Sequence, residues 1–120
     1  MSETQVVLRY RDGRTERASL DPIETEREVL RVRRDSGAAD EVPFGVLKAV
    51  FFPRTVPEEA LEPAAGSSLA IEFSDGEVIR GTAVYNPERN GFFLFPLDRS
   101  KNDRIFVVNS AIVSIEVEKL

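Results

Sequence analysis

The side chains that could support chemistry in this chain are carboxylates and arginines, because histidine and cysteine are both absent. Their absence removes the usual general bases, thiolate nucleophiles and soft metal ligands. No serine or threonine lies in a nucleophile elbow or a phosphate-binding loop. The remaining carboxylate pairs fall in predicted loops or linker; they are Glu58 with Glu59, Asp98 with Asp103, and Asp40 with Glu41. We therefore predict a non-enzymatic protein with no catalytic residues, no cofactor and no metal.

One acidic segment partly matches a calcium loop. Asp98, Ser100 and Asn102 place oxygen atoms at alternate positions. The sixth position, however, is Asp103 where such a loop requires glycine, and the twelfth is Asn109 where it requires a bidentate glutamate. The pattern instead favours a polar loop between two strands.

Arginines offer the other chemistry. Arg27 and Arg31 have the Arg-x-x-x-Arg spacing with which PilZ domains bind cyclic di-GMP, and bidentate guanidinium groups suit phosphates. The companion Asp/Asn-x-Ser-x-x-Gly motif of those domains is absent. A charged outer face is therefore the preferred interpretation, and a small-ligand or cyclic-nucleotide sensor is the alternative.

Four other arginine positions suggest a protein-binding patch. Arg9 and Arg11 alternate with apolar residues on one predicted strand, as do Arg31 and Arg33 on another. Residues two apart on a strand point to the same face. If these strands flank a common neighbour, the four guanidinium groups could form one patch for an acidic partner. Individual surface ion pairs of little energetic value are the simpler interpretation.

The aromatic residues suggest a second contact surface. Phe92 to Phe95 contains three phenylalanines in four positions, so at least one ring must leave its own core. We expect Phe93 and Phe95 to point outward, and the pair Phe51 and Phe52 repeats the geometry earlier in the chain. Such rings could pack two halves of the protein together, or form an exposed strip for a partner or a second copy.

The elements that must position these residues occur twice along the chain. Val6 to Gly13 corresponds to Leu69 to Gly76 at an offset of 63 residues, and both segments end in Asp-Gly. Asp21-Pro22 matches Asn86-Pro87 at an offset of 65, as do Leu47 to Phe52 and Ile112 to Val117. A two-residue insertion in the second copy, between its Asp-Gly turn and its Asn-Pro turn, reconciles the two offsets, and self-similarity of this kind predicts an internal repeat.

Each copy contains five short strand signals, with alternating apolar residues and Asp-Gly hairpin turns. The predicted strands of the first copy are near Val6–Tyr10, Thr15–Leu20, Val29–Arg33, Glu41–Pro43 and Ala49–Phe52, and those of the second are near Leu69–Phe73, Glu77–Tyr85, Phe92–Phe95, Arg104–Val108 and Ile112–Glu118. Five short strands in so few residues are typical of a small barrel. We predict an all-β protein of two tandem five-stranded small barrels, residues 1–54 and 68–120, with a proline-containing linker at 55–67 that has one helical turn near Glu58–Leu61.

The second copy resembles a known family type. Its strand, Asp-Gly turn, strand with a central Gly81, and Tyr-Asn-Pro followed by Gly-Phe-Phe-Leu look like the first motif of Sm-like barrels, within the SH3-like class. Residues 72–81, 92–98 and 105–108 more closely resemble an uncharacterised bacterial domain family that can accompany PilZ or receiver modules. That resemblance implies a signalling setting. The Arg-Gly of the second Sm motif is replaced by Asn109-Ser110-Ala111, which argues against RNA binding.

Charge and composition narrow the partner class. The net charge is −5, with ten basic and ten acidic residues in 1–54 but six and eleven in 55–120. Binding to nucleic-acid phosphates needs a net basic footprint, so we do not expect a nucleic-acid partner. The start of the chain lacks the pattern of a signal peptide, and no apolar run is long enough for a membrane helix, so we expect a cytoplasmic protein. The predicted function is a regulatory module that binds a protein partner and can form a homo-oligomer. A small-ligand or cyclic-nucleotide sensor is the first alternative, and a nucleic-acid-binding Sm-like protein is the second.

Overall fold

A computed structural model describes residues 4–20, 28–34, 37–61 and 63–118. These residues form β-strands joined by tight turns and three short 3₁₀ segments, Phe44–Val46, Glu58–Ala60 and Asn109–Ala111. The strands are β1 (Thr4–Tyr10), β2 (Thr15–Leu20), β3 (Val29–Arg34), β4 (Ala39–Pro43), β5 (Leu47–Pro53), β6 (Ser67–Phe73), β7 (Val78–Ala83), β8 (Gly91–Pro96), β9 (Asn102–Val108) and β10 (Ile112–Val117). The all-β prediction is confirmed, and the short 3₁₀ segment at Glu58–Ala60 lies where a helical turn was expected.

The strands form where the sequence alternates between apolar and polar residues. In β1, Val6, Leu8 and Tyr10 are buried, while the residues between them are partly exposed. The Asp-Gly turns after β1 and β6 each place a glycine at positive φ, 94° at Gly13 and 89° at Gly76. Glycine adopts this conformation without the steric cost that a Cβ would add, so both hairpins can turn tightly.

All ten strands belong to one antiparallel sheet with the order β10-β6-β7-β8-β9-β5-β1-β2-β3-β4. Each half of the sheet has the same internal order, in which the fifth strand of the half pairs with the first. The halves meet where β5 pairs with β9, with Val50 opposite Phe106 and Phe51 opposite Ile105. We call this β5–β9 pairing the joint.

The expectation of two separate closed barrels is not confirmed. The sheet is open, with β4 and β10 as its two end strands. The physical reason lies in β5, whose second set of backbone hydrogen bonds goes to β9 of the other half instead of back to β4. The gap between β5 and β6 overlaps the predicted linker 55–67, and the division into 1–54, 55–67 and 68–120 stays a prediction. Asp21-Pro22 lies outside the described residues.

Two hydrophobic cores lie on opposite faces of the joint. The first contains residues of β1 to β5, including Leu8, Leu30 and Val50, and the second contains residues of β6 to β10, including Ile71 and Leu94. Strands β5 and β9 contribute alternate residues to both cores, so they are buried on two faces. Residues 47–50 of β5 and 105–108 of β9 are therefore all buried.

Aromatic residues cross the joint in both directions. Phe106 of β9 and Phe93 of β8 pack into the first core, where the Phe93 ring lies 5.6 Å from Phe52 and 5.2 Å from Phe106. Phe51 of β5 packs against the second core. Of the two interpretations of the outward rings, packing between the two halves of the protein therefore applies to Phe51 and Phe93.

None of the helical segments in the described residues has the length and apolar character needed to cross a membrane.

Candidate functional site

An exposed cluster of arginines lies on the outer surface of β2 and β3. The inward residues of β3, Leu30 and Val32, are buried, so Arg31 and Arg33 point away from the core and are exposed. Arg17 is exposed on the neighbouring strand β2. We call Arg17, Arg31 and Arg33 the arginine face. Arg17 was not predicted from the sequence, because it is the one arginine of β2 and so forms no alternating pattern there.

The strand register brings these three residues close together. Ser19 of β2 lies opposite Arg33. At a rise of about 3.4 Å per residue and a strand spacing of about 4.8 Å, the Cα atoms of Arg17 and Arg31 each lie about 7–8 Å from that of Arg33. Glu41 on β4 is 3.6 Å from the Arg31 guanidinium, and Arg33 donates a hydrogen bond of 2.9 Å to the carbonyl of Gly37. The face is therefore basic, and Glu41 lies at its margin.

A shallow groove borders the arginine face. It has a volume of about 300 Å³ and lies over the β3–β4 hairpin, where it is lined by Arg31, Arg33, Asp40 and Glu41 with Val32 and Ala39. Both signs of charge thus line one groove beside the end strand of the sheet. Such a surface can orient a partner as well as attract it.

Arg9 and Arg11 lie elsewhere, at the joint. Strands β1 and β3 do flank β2, but the register places Arg9 about 17 Å from Arg33, at strand rise and spacing values of ordinary sheets. The Arg9 guanidinium stacks 4.6 Å from the Phe51 ring and pairs with Glu77 at 3.3 Å. Arg11 donates to the carbonyl of Leu47 at 3.1 Å and to the hydroxyl of Ser110. The four predicted arginines therefore form two separate pairs.

The two predicted aromatic contacts are also accounted for inside the molecule. Phe93 is half-buried against the first core, with the Arg104 guanidinium 4.7 Å from its ring. Phe95 is half-buried and carries the Arg99 guanidinium at 5.0 Å. Neither ring forms a free apolar strip, because cationic side chains cover both.

Lys48 is a residue that sequence reasoning missed. It lies in β5 and is 3% exposed, and it is the one buried charged residue among those the structure describes. Its ammonium group donates to Asp75 at 2.7 Å and to Glu77, and it lies 4.9 Å from the centre of the Phe73 ring. The hydrogen bond from Lys48 holds the pKa of Asp75 below its usual value. A lone lysine within the apolar run Val46 to Phe52 was the available signal.

A second cavity opens between the β1–β2 hairpin and β4. It has a volume of about 480 Å³ and is lined by Tyr10, Arg14, Thr15, Glu16, Arg34, Glu41, Val42, Pro43 and Val46. Burial, and then the hydrogen bond to Glu16, raises the pKa of Tyr10. Arg34 lowers the pKa values of Glu16 and Asp40 through hydrogen bonds to both carboxylates. Two charged groups of this cavity, Arg34 and Glu16, are therefore already paired with each other.

Asp98 and Asp103 have local structural partners. Asp98 accepts a backbone hydrogen bond from Ser100 at 2.9 Å, and hydrogen bonds from Ser100 lower the pKa of Asp98. Asp103 pairs with Arg99 at 2.6 Å. Across the described residues, no group of three acidic side chains is arranged to hold a metal ion. Arg27, the first arginine of the Arg-x-x-x-Arg spacing, lies outside the described residues.

Comparison with known proteins gives a family. A family model described as a family of unknown function, DUF6982, matches residues 2–119. The chain belongs to this family. No curated protein and no solved structure matches it. The DUF6982 match fits the expectation of an uncharacterised domain family, and it spans both halves of the sheet, so the joint lies within the family's own domain.

Proposed function

We propose that this DUF6982 domain is a non-enzymatic interaction module that binds an acidic segment of a partner protein on the arginine face. The observation that carries the proposal is the convergence of Arg17, Arg31 and Arg33 on one exposed surface of two adjacent strands. Guanidinium groups bind carboxylates bidentately and keep their charge at every physiological pH. At ordinary strand spacings the Cα atoms of the three arginines lie about 7–14 Å apart. Acidic residues on an extended or helical segment can have the same separations.

The groove beside the arginine face supports a defined orientation for that segment. Asp40 and Glu41 line its far side, next to the free backbone edge of β4. An acidic residue placed too far toward β4 would meet these carboxylates and be repelled. The charge arrangement therefore favours one placement of the partner, as electrostatic complementarity does at protein interfaces.

The finer fold and setting belong to the same proposal. The shared strand order of the two halves, together with the repeated sequence, supports a duplicated five-stranded unit of the Sm-like or SH3-like type. The resemblance to domains that accompany PilZ or receiver modules supports a regulatory role in bacterial signalling, in the cytoplasm. In such a role the module would hold a partner in place without chemistry of its own.

The alternative of a cyclic-nucleotide sensor has weaker support. The larger cavity contains two arginines, but Arg14 pairs with Asp12 at 2.7 Å and Arg34 pairs with Asp40 at 2.7 Å. Glu16 and Glu41 also line it. A phosphate would have to displace these carboxylates.

The proposal can be tested with synthetic peptides of equal length, one glutamate-rich, one lysine-rich and one neutral, by isothermal titration calorimetry. We expect the glutamate-rich peptide to bind most tightly. The double variant Arg31→Glu with Arg33→Glu should weaken this binding by at least about tenfold, because like charges then face each other. The matched control is Arg89→Glu with Lys101→Glu, two exposed cations of the second half that change the net charge equally.

Equal losses in the two double variants would overturn the proposal, since binding would then follow net charge alone. An absence of preference for the glutamate-rich peptide would overturn it as well. Cyclic di-GMP and a single-stranded oligonucleotide serve as further probes. Tight binding of the first, or steeply salt-dependent binding of the second, would favour the small-ligand or nucleic-acid alternative instead.

A further inference from the structure

The joint shows how one half of this sheet accepts a strand from the other. In each half, the fourth strand is an edge and the fifth strand pairs with the first; these are β4 and β5 in one half and β9 and β10 in the other. At the joint, the fourth strand of the second half accepts the fifth strand of the first. Among the described strands, the two ends of the sheet are β4 and β10, a fourth strand and a fifth strand. Two copies of the chain therefore present the same pair of edges to each other.

The joint is held by apolar residues on both of its faces. On one face, Val50 of β5 lies opposite Phe106 of β9, which is fully buried in the first core. On the other face, Phe51 lies opposite Ile105 of the second core. Each strand thus sends a large aromatic side chain into the core of the other half.

The corresponding positions at the free ends carry carboxylates. The offset of 65 residues places Glu41 at the position of Phe106, Asp40 at that of Ile105, and Glu116 at that of Phe51. Pairing of β4 with β10 of a second copy in the register of the joint would put Glu116 opposite Asp40. It would also carry Glu41, together with its ion-pair partner Arg31, and Glu116 into apolar cores, where the burial of charged groups is costly.

The contacts of Lys48 with Phe73 and Asp75 give a second, independent indication that the β4 end does not accept another strand. At the joint, Lys48 of the arriving strand lies 4.9 Å from the Phe73 ring and 2.7 Å from Asp75. At the free β4 end, the equivalent ring and carboxylate are Tyr10 and Asp12, at an offset of 63 residues. There the chain's own Arg14 lies 4.6 Å from the ring centre and 2.7 Å from the carboxylate.

We propose that β4 and β10 form a latent head-to-tail interface between copies of this chain, and that Asp40, Glu41 and Glu116 keep it open. Arg14 contributes because it already occupies the site beside Tyr10 and Asp12 that a lysine of an incoming strand would need. In addition, β10 has Val113 at the position where β5 has Lys48. The occupant that fits the backbone of this interface is a second copy, and the side chains exclude it. Strand pairing therefore joins the two halves of one chain and does not continue to a second copy. This inference does not depend on the acidic partner proposed above.

The test restores the sequence of the joint at one end at a time. Variant A is Glu116→Phe, which opens the β10 end, and variant B is Asp40→Ile with Glu41→Phe, which opens the β4 end. Light scattering would measure the mass of the wild type, of each variant alone and of their equimolar mixture. Glu88→Phe, an exposed loop position, is the control for a phenylalanine added to the surface. Far-ultraviolet circular dichroism would confirm that each variant is folded.

We expect the wild type, A alone, B alone and the control to have the monomer mass of 13.4 kDa. The mixture of A and B should have twice that mass, because β10 of A then pairs with β4 of B while the other ends stay closed. A chain with all three substitutions should form longer assemblies. A mixture that stays monomeric, a wild type that is already oligomeric, or self-association of A or B equal to that of the mixture would each overturn the proposal.

Discussion

Lys48 places a positive charge inside the joint, where its side chain is 4% exposed, while its partners Asp75 and Glu77 remain 44% and 42% exposed. Water can still solvate these two carboxylates if the ammonium group is lost. The methylene stem of the lysine, however, fills apolar space in β5 and packs near Phe73. Volume and charge at this position therefore make separable contributions to the free energy of unfolding.

Three substitutions at Lys48 would measure these contributions. Lys48→Met keeps the stem, and we expect it to change the free energy of unfolding by about 1 kcal/mol or less, because buried ion pairs are often replaceable by hydrophobic residues of similar volume. Lys48→Ala should cost roughly 2 kcal/mol through the space it leaves. Lys48→Glu should cost more than either, since three carboxylates would then meet. Urea denaturation gives the values, and a Met variant less stable than the Ala variant would contradict this assignment.

The pH dependence of the same site has a defined sign. Lys48 lowers the pKa of Asp75 in the folded state, so the resulting stabilisation is present above the unfolded-state pKa of about 3.9 and is lost as pH falls through the folded value. The stability advantage of the wild type over Lys48→Met should therefore shrink between about pH 5 and pH 2. Urea denaturation at a series of pH values would show this, and an advantage that grows in acid would contradict it.

Strands are the scale at which the sequence was most informative. Each of the ten strands overlaps a strand predicted from period-two alternation or from a short apolar run, bounded by turn residues such as Asp12-Gly13 and Asp75-Gly76. The joint did not follow, because Phe51 and Phe106 are apolar on a face that alternation alone assigns to solvent. The buried runs Leu47 to Val50 and Ile105 to Val108 were the signal of two-sided burial. Which strand fills the second face is a long-range choice that a local pattern does not encode.

The arginine face was predictable only in part, because alternation predicts the face on which a residue lies but not the register between strands. Alternation in β3 correctly separates Arg31 and Arg33 from the buried Leu30 and Val32. The distance between those arginines and Arg9 depends on the register across β2, which the sequence does not specify without a turn of known length. Arg17 belongs to the arginine face through that register alone.

Gly81 illustrates a constraint set by strand pairing in β7. A Cβ at this position would overlap the carbonyl oxygen of Phe95 on the adjacent strand β8. We expect Gly81→Ala to lower the free energy of unfolding by roughly 1–3 kcal/mol, because a backbone atom cannot move aside without disturbing the pairing. Gly45→Ala is the matched control, since its Cβ would meet no atom within 4 Å, and it should be near neutral. Thermal denaturation that gives equal losses for both would contradict the pairing of β7 with β8.

The whole molecule should unfold as one unit, although its sequence consists of two similar halves. Phe106 belongs to the second half but is fully buried in the first core, where it contacts Phe44 and Phe93. Phe106→Ala should therefore cost about 3–5 kcal/mol and destabilise both halves together. Differential scanning calorimetry should show one transition whose calorimetric and van't Hoff enthalpies agree, in the wild type and in the variant. Two separated transitions would show that the halves are independent.

The crossing of side chains at the joint also determines when the protein can finish folding as it is synthesised. Phe93 and Phe106, which close one side of the first core, follow all strands of the first half in the chain. A ribosome that has released residues 1–54 has therefore delivered every strand of the first half but not the rings that close its core. During translation the apolar outer face of β5 stays uncovered until β9 emerges, and β5 is then the segment on which a chaperone would act.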